Sequence, residues 1–366
     1  MPALRIHAGP AARRHIERHG LSPKDVRLIA GAAGGPKGLI LGPLDRFVFG
    51  EWLRQSSHTV HLLGASIGAW RMATAAMQDP ATAFAAFEHA YIHQHYDPEP
   101  GRKRPSAALV SRKFEEGLYQ FFGGDVPGIL QHPRYRLHVV TSRGQHVLAR
   151  EGRWRTPLGY LGLALSNAVS RRSVGAWTER VVFSSAGAPL PVDLRDLRHR
   201  CVALTEQNFH PAVQASCSIP FVLQAVHDIP GAPRGAYWDG GITDYHLHWR
   251  YHAMNEGLDQ HVPQGLVLYP HFQRELVPGW LDKAWKRRHK PTSGLDNVIV
   301  LAPDADWVRK LPNAKLPDRN DFTHYGLDWQ ARARSWTQAV SESQRLADEW
   351  QAWLEQGAPV ERVEPL

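Results

Sequence analysis

The chain has 366 residues, of which 43% are hydrophobic, and it is long enough for one large core or two smaller ones. No segment approaches the ~18 uninterrupted apolar residues that a membrane-spanning helix needs. The net charge of +8 favours contact with anionic surfaces, but no nucleic-acid-binding module accompanies it, so we do not expect a nucleic-acid partner.

The N-terminus and the cysteines bear on the compartment. Residues 1–20 contain four arginines but no apolar segment of the kind found in secretory signals. Cys201 and Cys217 are isolated, and neither lies at metal-ligand spacing. Two such cysteines are typical of a reducing compartment rather than of a disulfide scaffold. We therefore expect a cytoplasmic protein with no metal ligands and no cofactor-binding residues.

The first eighty residues contain two strand–loop–helix units. A buried strand is predicted over 26–30, a Gly-rich turn over 31–38 and a helix over 38–52. A second strand is predicted over 59–63, and an Ala-rich helix follows over 69–78. Two such units in succession are typical of a parallel α/β sheet.

The remaining elements are predicted at wider spacing. A loop over 97–105 precedes an amphipathic helix over 114–122, and we interpret 97–122 as a lid. Apolar side chains on one face predict one long helix over 327–354, docked on the body of the protein. We expect a three-layer α/β/α sandwich around a mainly parallel sheet. Further strands are predicted over 135–141, 181–184, 201–205, 266–269 and 298–301.

A serine lies between two glycines directly after the second predicted strand. Residues 64–68, GASIG, fit the pattern G-x-S-x-G, in which small neighbours accommodate a serine on a strained strand-to-helix turn. The following helix would direct its N-terminal N–H groups at developing negative charge. This context favours Ser66 as a nucleophile, and an ordinary turn serine is the alternative.

A glycine-rich turn, AAGGPKG over residues 32–38, follows the first predicted strand. Such a turn exposes backbone N–H groups that can bind a phosphate or an oxyanion. It is not a P-loop, because Gly rather than Ser or Thr follows Lys37, and it does not fit a dinucleotide fingerprint. A simple strand-to-helix turn is the alternative. Since Pro36 has no N–H, the candidate donors are Gly34, Gly35, Lys37 and Gly38.

An aspartate ends a short aromatic segment, YWDGG over residues 237–241. Taken alone, Asp239 with two following glycines is better explained by an Asx turn than by a catalytic carboxylate.

Together, the three motifs resemble those of the patatin-like phospholipase family. That family has an oxyanion loop G-G-G-x-[Arg/Lys]-G, a G-x-S-x-G elbow and a downstream Asp-Gly-Gly/Ala motif, in the order found here. Residues 215–221, ASCSIPF, are similar to the family's Ala-Ser-x-x-x-Pro block. The resemblance covers residues 26–244, and the chain departs from the family pattern at Ala33, where a glycine is expected.

The resemblance implies a serine hydrolase with a Ser–Asp dyad and no histidine between the two residues. Ser66 would attack an ester carbonyl, and Asp239 would act as its general base. The expected substrates are carboxylic esters of lipids, such as the acyl chains of phospholipids or lysophospholipids, and the expected role is lipid degradation. The implied oxyanion hole consists of Gly34, Gly35, Lys37 and Gly38.

The resemblance also implies a division of the chain. We expect a patatin-like catalytic domain over 26–303, an N-terminal extension over 1–25 and a C-terminal helical extension over 304–366 packed on that domain. Nothing in the sequence indicates an oligomeric state, a preferred chain length or a preferred head group.

Three alternatives remain. An α/β-hydrolase would need a histidine in a triad. A general carboxylesterase or a thioesterase would use the same dyad with another leaving group. A non-catalytic lipid-binding protein is the third, because residues 280–290 (WLDKAWKRRHK) mix aromatic with basic side chains suited to peripheral contact with an anionic membrane. The candidate triad histidines are His246, His248 and His324.

Overall fold

A mostly parallel sheet forms the centre of the computed structural model, which describes residues 2–187, 189–255 and 265–366. Parts of the predicted N-terminal extension and catalytic domain, residues 1, 188 and 256–264, lie outside the described residues. The strands of the described residues are β1 (Leu4–Ala8), β2 (Val26–Gly31), β3 (Val60–Ala65), β4 (Tyr135–Gly144), β5 (Thr178–Ser184), β6 (His199–Ala203), β7 (Val226–His227), β8 (Ala236–Asp239), β9 (Leu266–Pro270), β10 (Val298–Pro303) and β11 (Val363–Pro365).

Helices cover both faces of this sheet, which confirms the predicted three-layer α/β/α sandwich. The main order of strands is β11-β1-β10-β9-β2-β3-β4-β5-β6, and β8 pairs with both β4 and β7. The α-helices of the described residues are α1 (Pro10–His19), α2 (Gly42–Phe47), α3 (Ile67–Ala75), α4 (Pro80–His93), α5 (Ala107–Phe122), α6 (Val126–Leu130), α7 (Arg155–Val169), α8 (Val174–Trp177), α9 (Glu206–Cys217), α10 (Gly241–Asp244), α11 (Ala305–Val308), α12 (Asn320–His324), α13 (Trp329–Glu342) and α14 (Gln344–Glu355).

The central strands are apolar because both faces of the sheet are covered. Every residue of β3 and of β9 is buried, and both strands pair in parallel with β2, which lies between them. All seven predicted strands are present; the strand predicted over 201–205 begins two residues earlier, at His199.

The prediction of one long helix over 327–354 is wrong, because the chain leaves the helix at Ser343. The Ser343 hydroxyl donates to the Val340 carbonyl at 2.6 Å, and its N–H is shared between the carbonyls of Ala339 and Val340. A serine that bonds its own helix backbone in this way competes with helix continuation. Two helices, α13 and α14, result.

The two ends of the chain belong to the same sheet as its middle. β1 lies between β10, with which it is antiparallel, and β11, with which it is parallel. Strands from 1–25, 26–303 and 304–366 thus share one sheet, and the three-part division of the chain remains a prediction.

The long strand β4 positions the candidate site. Its first part pairs with β3, where Ala65 lies opposite Val140. Its second part pairs with β8, where Asp239 lies opposite Thr141. β3 and β8 run in opposite directions along the same side of β4, so their C-terminal ends meet.

The segment interpreted as a lid contains no helix or strand over 97–105, and helix α5 then begins at Ala107 rather than at the predicted residue 114. The Ser106 hydroxyl accepts the Leu109 N–H at 3.1 Å and caps the helix. Helix α5 packs against α3, with the ring centroids of Phe114 and Trp70 5.4 Å apart. Its role as a lid remains a prediction.

Candidate active site

Ser66 alone connects β3 to α3 and has a strained backbone. Its φ of 57° and ψ of −128° lie in a region that side-chain-bearing residues rarely adopt. The Ser66 N–H donates to the Ser216 hydroxyl at 2.9 Å, and that hydroxyl donates to the Val140 carbonyl at 2.6 Å. The strained conformation of Ser66 is therefore stabilised by these hydrogen bonds to α9 and β4.

The glycines on either side of Ser66 are needed for close backbone packing. A Cβ on Gly64 would lie 2.4 Å from the carbonyl oxygen of Gly68. A Cβ on Gly68 would lie 1.9 Å from the carbonyl oxygen of Gly31, at the end of β2. The pattern G-x-S-x-G thus lets α3 approach β2 and turn sharply away from β3.

Asp239 ends β8 with its carboxylate beside Ser66. The Ser66 hydroxyl donates to Oδ2 of Asp239 at 2.7 Å, and the Gly241 N–H donates to Oδ1 at 2.7 Å. One oxygen is therefore held by the backbone, while the other accepts the hydrogen bond of the serine. This is the geometry in which a carboxylate can remove the proton of a hydroxyl.

Residues 215–221, the segment similar to the Ala-Ser-x-x-x-Pro block, form hydrogen bonds to the backbone at Ser66 and at Asp239. Ser216 binds the Ser66 N–H through its hydroxyl, and its carbonyl accepts the Gly240 N–H at 3.1 Å. The carbonyl of Ser218 accepts the Asp239 N–H at 2.9 Å. The segment therefore fixes the separation between Ser66 and Asp239.

Both side chains are withdrawn from water, with 3% of Ser66 and 6% of Asp239 exposed. Burial raises the pKa of Asp239 above its ordinary value. The nearby Arg319 charge, the hydrogen bonds from Ser66 and Gly241, and Lys283 oppose this rise. The carboxylate is thus a stronger base than a solvated one.

Two cations near Asp239 were missed by the sequence analysis. Arg319 directly precedes α12. In the described part of the chain, no salt bridge joins its guanidinium to a carboxylate. Lys283 lies 4.1 Å from the centre of the Tyr245 ring, and burial, followed by repulsion from Arg319 and Lys37, lowers its pKa to about 8. Arg319 lies in a segment without a motif, and Lys283 lies in the basic stretch 280–290, so no local pattern linked either to Asp239.

A recess of about 230 Å³, counted with its open mouth, reaches Asp239. Its walls are mostly apolar, with Arg319 as the cation among them. They consist of Ile219, Pro220, Asp239, Gly241, Ile242, Tyr245, Trp280 and Arg319.

The glycine-rich turn packs against the segments that carry Ser66 and Asp239. A Cβ on Gly38 would lie 3.4 Å from the Ile67 side chain, at the start of α3. A Cβ on Gly241 would lie 2.8 Å from the Cβ of Ala33, so the side chain of Ala33 requires a glycine opposite it. The structure thus brings the turn, Ser66 and Asp239 together.

A 3₁₀-helix begins at Gly35, which has a φ of 58°, and extends to Leu41. The first N–H groups of a helix have no acceptor within it, so those of Gly35 and Lys37 are available as donors. The Lys37 ammonium lies 5.3 Å from the centre of the Phe272 ring, and burial lowers its pKa. A Cβ on Gly34 would lie 2.4 Å from the same ring, so the turn packs closely on Phe272.

The three histidines considered for a triad make other contacts. The Val277 N–H donates to Nδ1 of His246 at 3.0 Å, and Nδ1 of His248 lies 2.9 Å from the Leu276 carbonyl. The His324 ring contacts that of Tyr325. The Ser66 hydroxyl reaches Asp239 directly, with no histidine between them.

The sequence matches no protein-family model and no curated protein. Among solved structures, the chain is similar to VipD from Legionella pneumophila, with 14% sequence identity and a TM-score of 0.37. That alignment covers 95% of this chain and 70% of that chain.

Among the described residues, no helix has the length and apolar character needed to cross a bilayer. Within the same residues, His, Cys, Asp and Glu side chains form no group of three that could hold a metal ion.

Proposed function

We propose that this protein is a serine hydrolase that cleaves carboxylic esters of lipids, with Ser66 as nucleophile and Asp239 as general base. The observation that carries the proposal is the 2.7 Å hydrogen bond from the Ser66 hydroxyl to a buried carboxylate, at a strained strand-to-helix turn. The order of its motifs, similar to that of patatin-like phospholipases, supports the same reading.

In the first half of the reaction, the Ser66 oxygen attacks the ester carbonyl carbon while its proton passes to Oδ2 of Asp239. The C=O bond becomes a C–O⁻ bond in the tetrahedral intermediate. This intermediate collapses to an acyl-serine, the C–O bond to the alcohol breaks, and the leaving oxygen takes the proton from Asp239.

In the second half, Asp239 removes a proton from a water molecule that attacks the acyl-serine carbonyl. The new intermediate releases the carboxylic acid, and the proton returns to the Ser66 oxygen. Asp239 begins and ends the cycle ionised, so no other proton acceptor is required.

Negative charge on the carbonyl oxygen needs donors that are already in position. The N–H groups of Gly35 and Lys37 at the start of the 3₁₀-helix, together with those of the adjoining Gly34 and Gly38, are the proposed oxyanion hole. Loss of one such donor typically slows catalysis by about 10²–10³-fold. Arg319 and Lys283 add positive potential next to the same space.

A short-chain carboxylesterase is the second candidate, and the small recess favours it. The recess measures only about 230 Å³ even when the open space at its mouth is counted. A long acyl chain would therefore have to extend out of the recess.

The decisive experiment compares the wild type with Ser66→Ala, Asp239→Asn and a control, Ser341→Ala, at an exposed position of α13. Each protein is treated with a fluorophosphonate probe and assayed on p-nitrophenyl esters of increasing chain length and on labelled phosphatidylcholine. We expect labelling of wild type and control but not of Ser66→Ala, and at least a 10³-fold loss of hydrolysis in both site variants.

Each outcome has a distinct meaning. An active Asp239→Asn variant would contradict the dyad, and a folded wild type that neither reacts with the probe nor cleaves any ester would contradict the proposed function. The chain-length profile separates a lipid hydrolase from a short-chain esterase.

A further inference from the structure

Exposed apolar side chains are concentrated around one helix. Among the described residues, ten large hydrophobic side chains are exposed, and eight of these lie on α7 or on segments next to it in space or sequence. Soluble proteins rarely expose such a cluster unless it binds something. The eight are Val147, Trp154, Leu158, Leu161, Leu165, Val169, Phe221 and Val222.

Four of them form one face of α7. Leu158, Leu161, Leu165 and Val169 follow at intervals of three and four residues, which places them on the same side of a helix. Each of the four side chains is more than half exposed. We call these four residues the apolar face of α7.

The opposite side of α7 packs beside the recess, because Tyr160 and Leu163 share an apolar cluster with Ile242, and Trp280 packs against that cluster. The Tyr160 ring lies 5.9 Å from that of Trp238, the neighbour of Asp239 in β8, and 5.8 Å from that of Phe221. Phe221 directly follows Ile219 and Pro220, which line the recess. The helix that carries the apolar face therefore lies beside the recess.

Phe221 has an unusual conformation for its position. Its φ is 69°, a left-handed value that is rare for a bulky residue, yet 60% of the residue is exposed. A strained backbone that holds a mostly exposed aromatic side chain gains little from core packing, which favours a binding role for that side chain.

The exposed charges at the two ends of α7 are mainly basic, because Asp282, the acid nearest its C-terminal end, is buried and paired with Arg171 and Arg288. Residues 152–178 contain no Asp or Glu, whereas the exposed residues Arg153 and Arg155 lie at one end of α7 and Arg172 at the other. The basic stretch 280–290 joins the same end, because Arg288 donates to the Asn167 carbonyl at 2.9 Å. An apolar helix face with a cationic rim is suited to an anionic lipid surface.

We infer that the apolar face of α7, with Phe221 and Val222, docks onto an anionic lipid surface and thereby brings the recess to that surface. The inference concerns binding and does not require hydrolysis. The mainly basic exposed rim, whose Asp282 is buried, is the reason for choosing a lipid surface over a protein, whose interface would be expected to carry mixed charge.

The test is co-sedimentation with vesicles of phosphatidylcholine and phosphatidylglycerol in equal amounts. The variant Leu161→Asp/Leu165→Asp changes the apolar face, and Leu327→Asp changes an exposed leucine outside this region. We expect the double variant to lose vesicle binding by on the order of tenfold or more while Leu327→Asp binds like the wild type. Binding of the wild type should weaken with added salt and on pure phosphatidylcholine vesicles.

Equal vesicle binding by the double variant and the wild type would overturn the inference, as would a wild type that does not bind. A wild type that is dimeric by light scattering, with a monomeric double variant and no vesicle binding by either, would instead assign the face to self-association. Circular dichroism shows whether the double variant folds. Hydrolysis of a soluble short-chain ester separates the two proposals, since docking variants should retain it and Ser66→Ala should bind vesicles normally.

Discussion

The Asp239 carboxylate is held in conditions that oppose its ionisation. It is buried with Ser66, and only the Gly241 N–H, the serine hydroxyl and the charges of Arg319 and Lys283 favour its charged form. The result is a raised pKa, which increases the basicity of the group at the expense of the stability of the fold.

The first prediction concerns stability and pH. Because the pKa of Asp239 is higher in the folded than in the unfolded chain, ionisation favours unfolding as pH rises through this interval. We expect Asp239→Asn to have a higher Tm than the wild type at neutral pH and a similar Tm at acidic pH, where both side chains are uncharged. Thermal melts of both proteins at several pH values measure this difference in Tm. The prediction would be contradicted if the Tm of Asp239→Asn, relative to that of the wild type, were lower at neutral pH than at acidic pH.

The second prediction concerns Arg319. Arg319 is the strongest influence that lowers the pKa of Asp239, so its removal should raise that pKa further. We expect Arg319→Gln to shift the acidic limb of the pH–rate profile to higher pH, since hydrolysis requires ionised Asp239. Arg309→Gln, at an exposed residue paired with Asp306, is the control. An unchanged profile in Arg319→Gln would show that its charge does not act on the base.

At the scale of elements, the site depends on how closely α3 approaches β2. Gly31 and Gly68 touch through their backbones, and α3 is anchored to α2 by a buried pair in which Arg71 binds both carboxylate oxygens of Asp45 at 2.8 Å. Removing either partner of a buried ion pair strongly lowers the free energy of unfolding, because the other charge is left buried without compensation. The turn at Ser66 is therefore fixed by packing on both of its sides.

The third prediction compares two glycine substitutions. In Gly68→Ala, the new methyl group would lie 1.9 Å from the Gly31 carbonyl oxygen, and backbone cannot move away cheaply. We expect loss of hydrolysis and a Tm lower by several degrees. Gly117→Ala, in the interior of α5 with no atom near the added Cβ, should be neutral or stabilising by up to about 1 kcal/mol. Equal effects of the two substitutions would refute this account of the turn.

Elements were predicted best where a single local signal was sufficient. The apolar runs at 26–30 and 59–63 yielded strands at nearly the predicted residues. The helix break at Ser343 was not predicted, because apolar spacing continues through it and the side-chain hydrogen bond that ends α13 leaves no periodic signal. β1 and β11 were also missed, since such short strands have few residues from which to recognise alternation.

At the scale of the molecule, one sheet joins the two ends of the chain to its centre. β1 and β11 pair with each other and extend the sheet beyond β10, while Arg319, from the C-terminal region, lines the recess. The C-terminal region therefore contributes to the site as well as to the fold, although it contains none of the motifs.

The α/β class, the strand-to-helix turn at Ser66 and the glycine-rich turn before it could be predicted from the sequence, because these features depend on residues adjacent in the chain. The resemblance of the motifs predicted that Ser66 pairs with Asp239, 173 residues away. That Arg319 and Lys283 lie beside this pair, and that α7 packs beside the recess, became visible with the fold. The physical reason is that these approaches depend on strand order: β4 is long enough to pair with both β3 and β8, and no local pattern records which strands are neighbours.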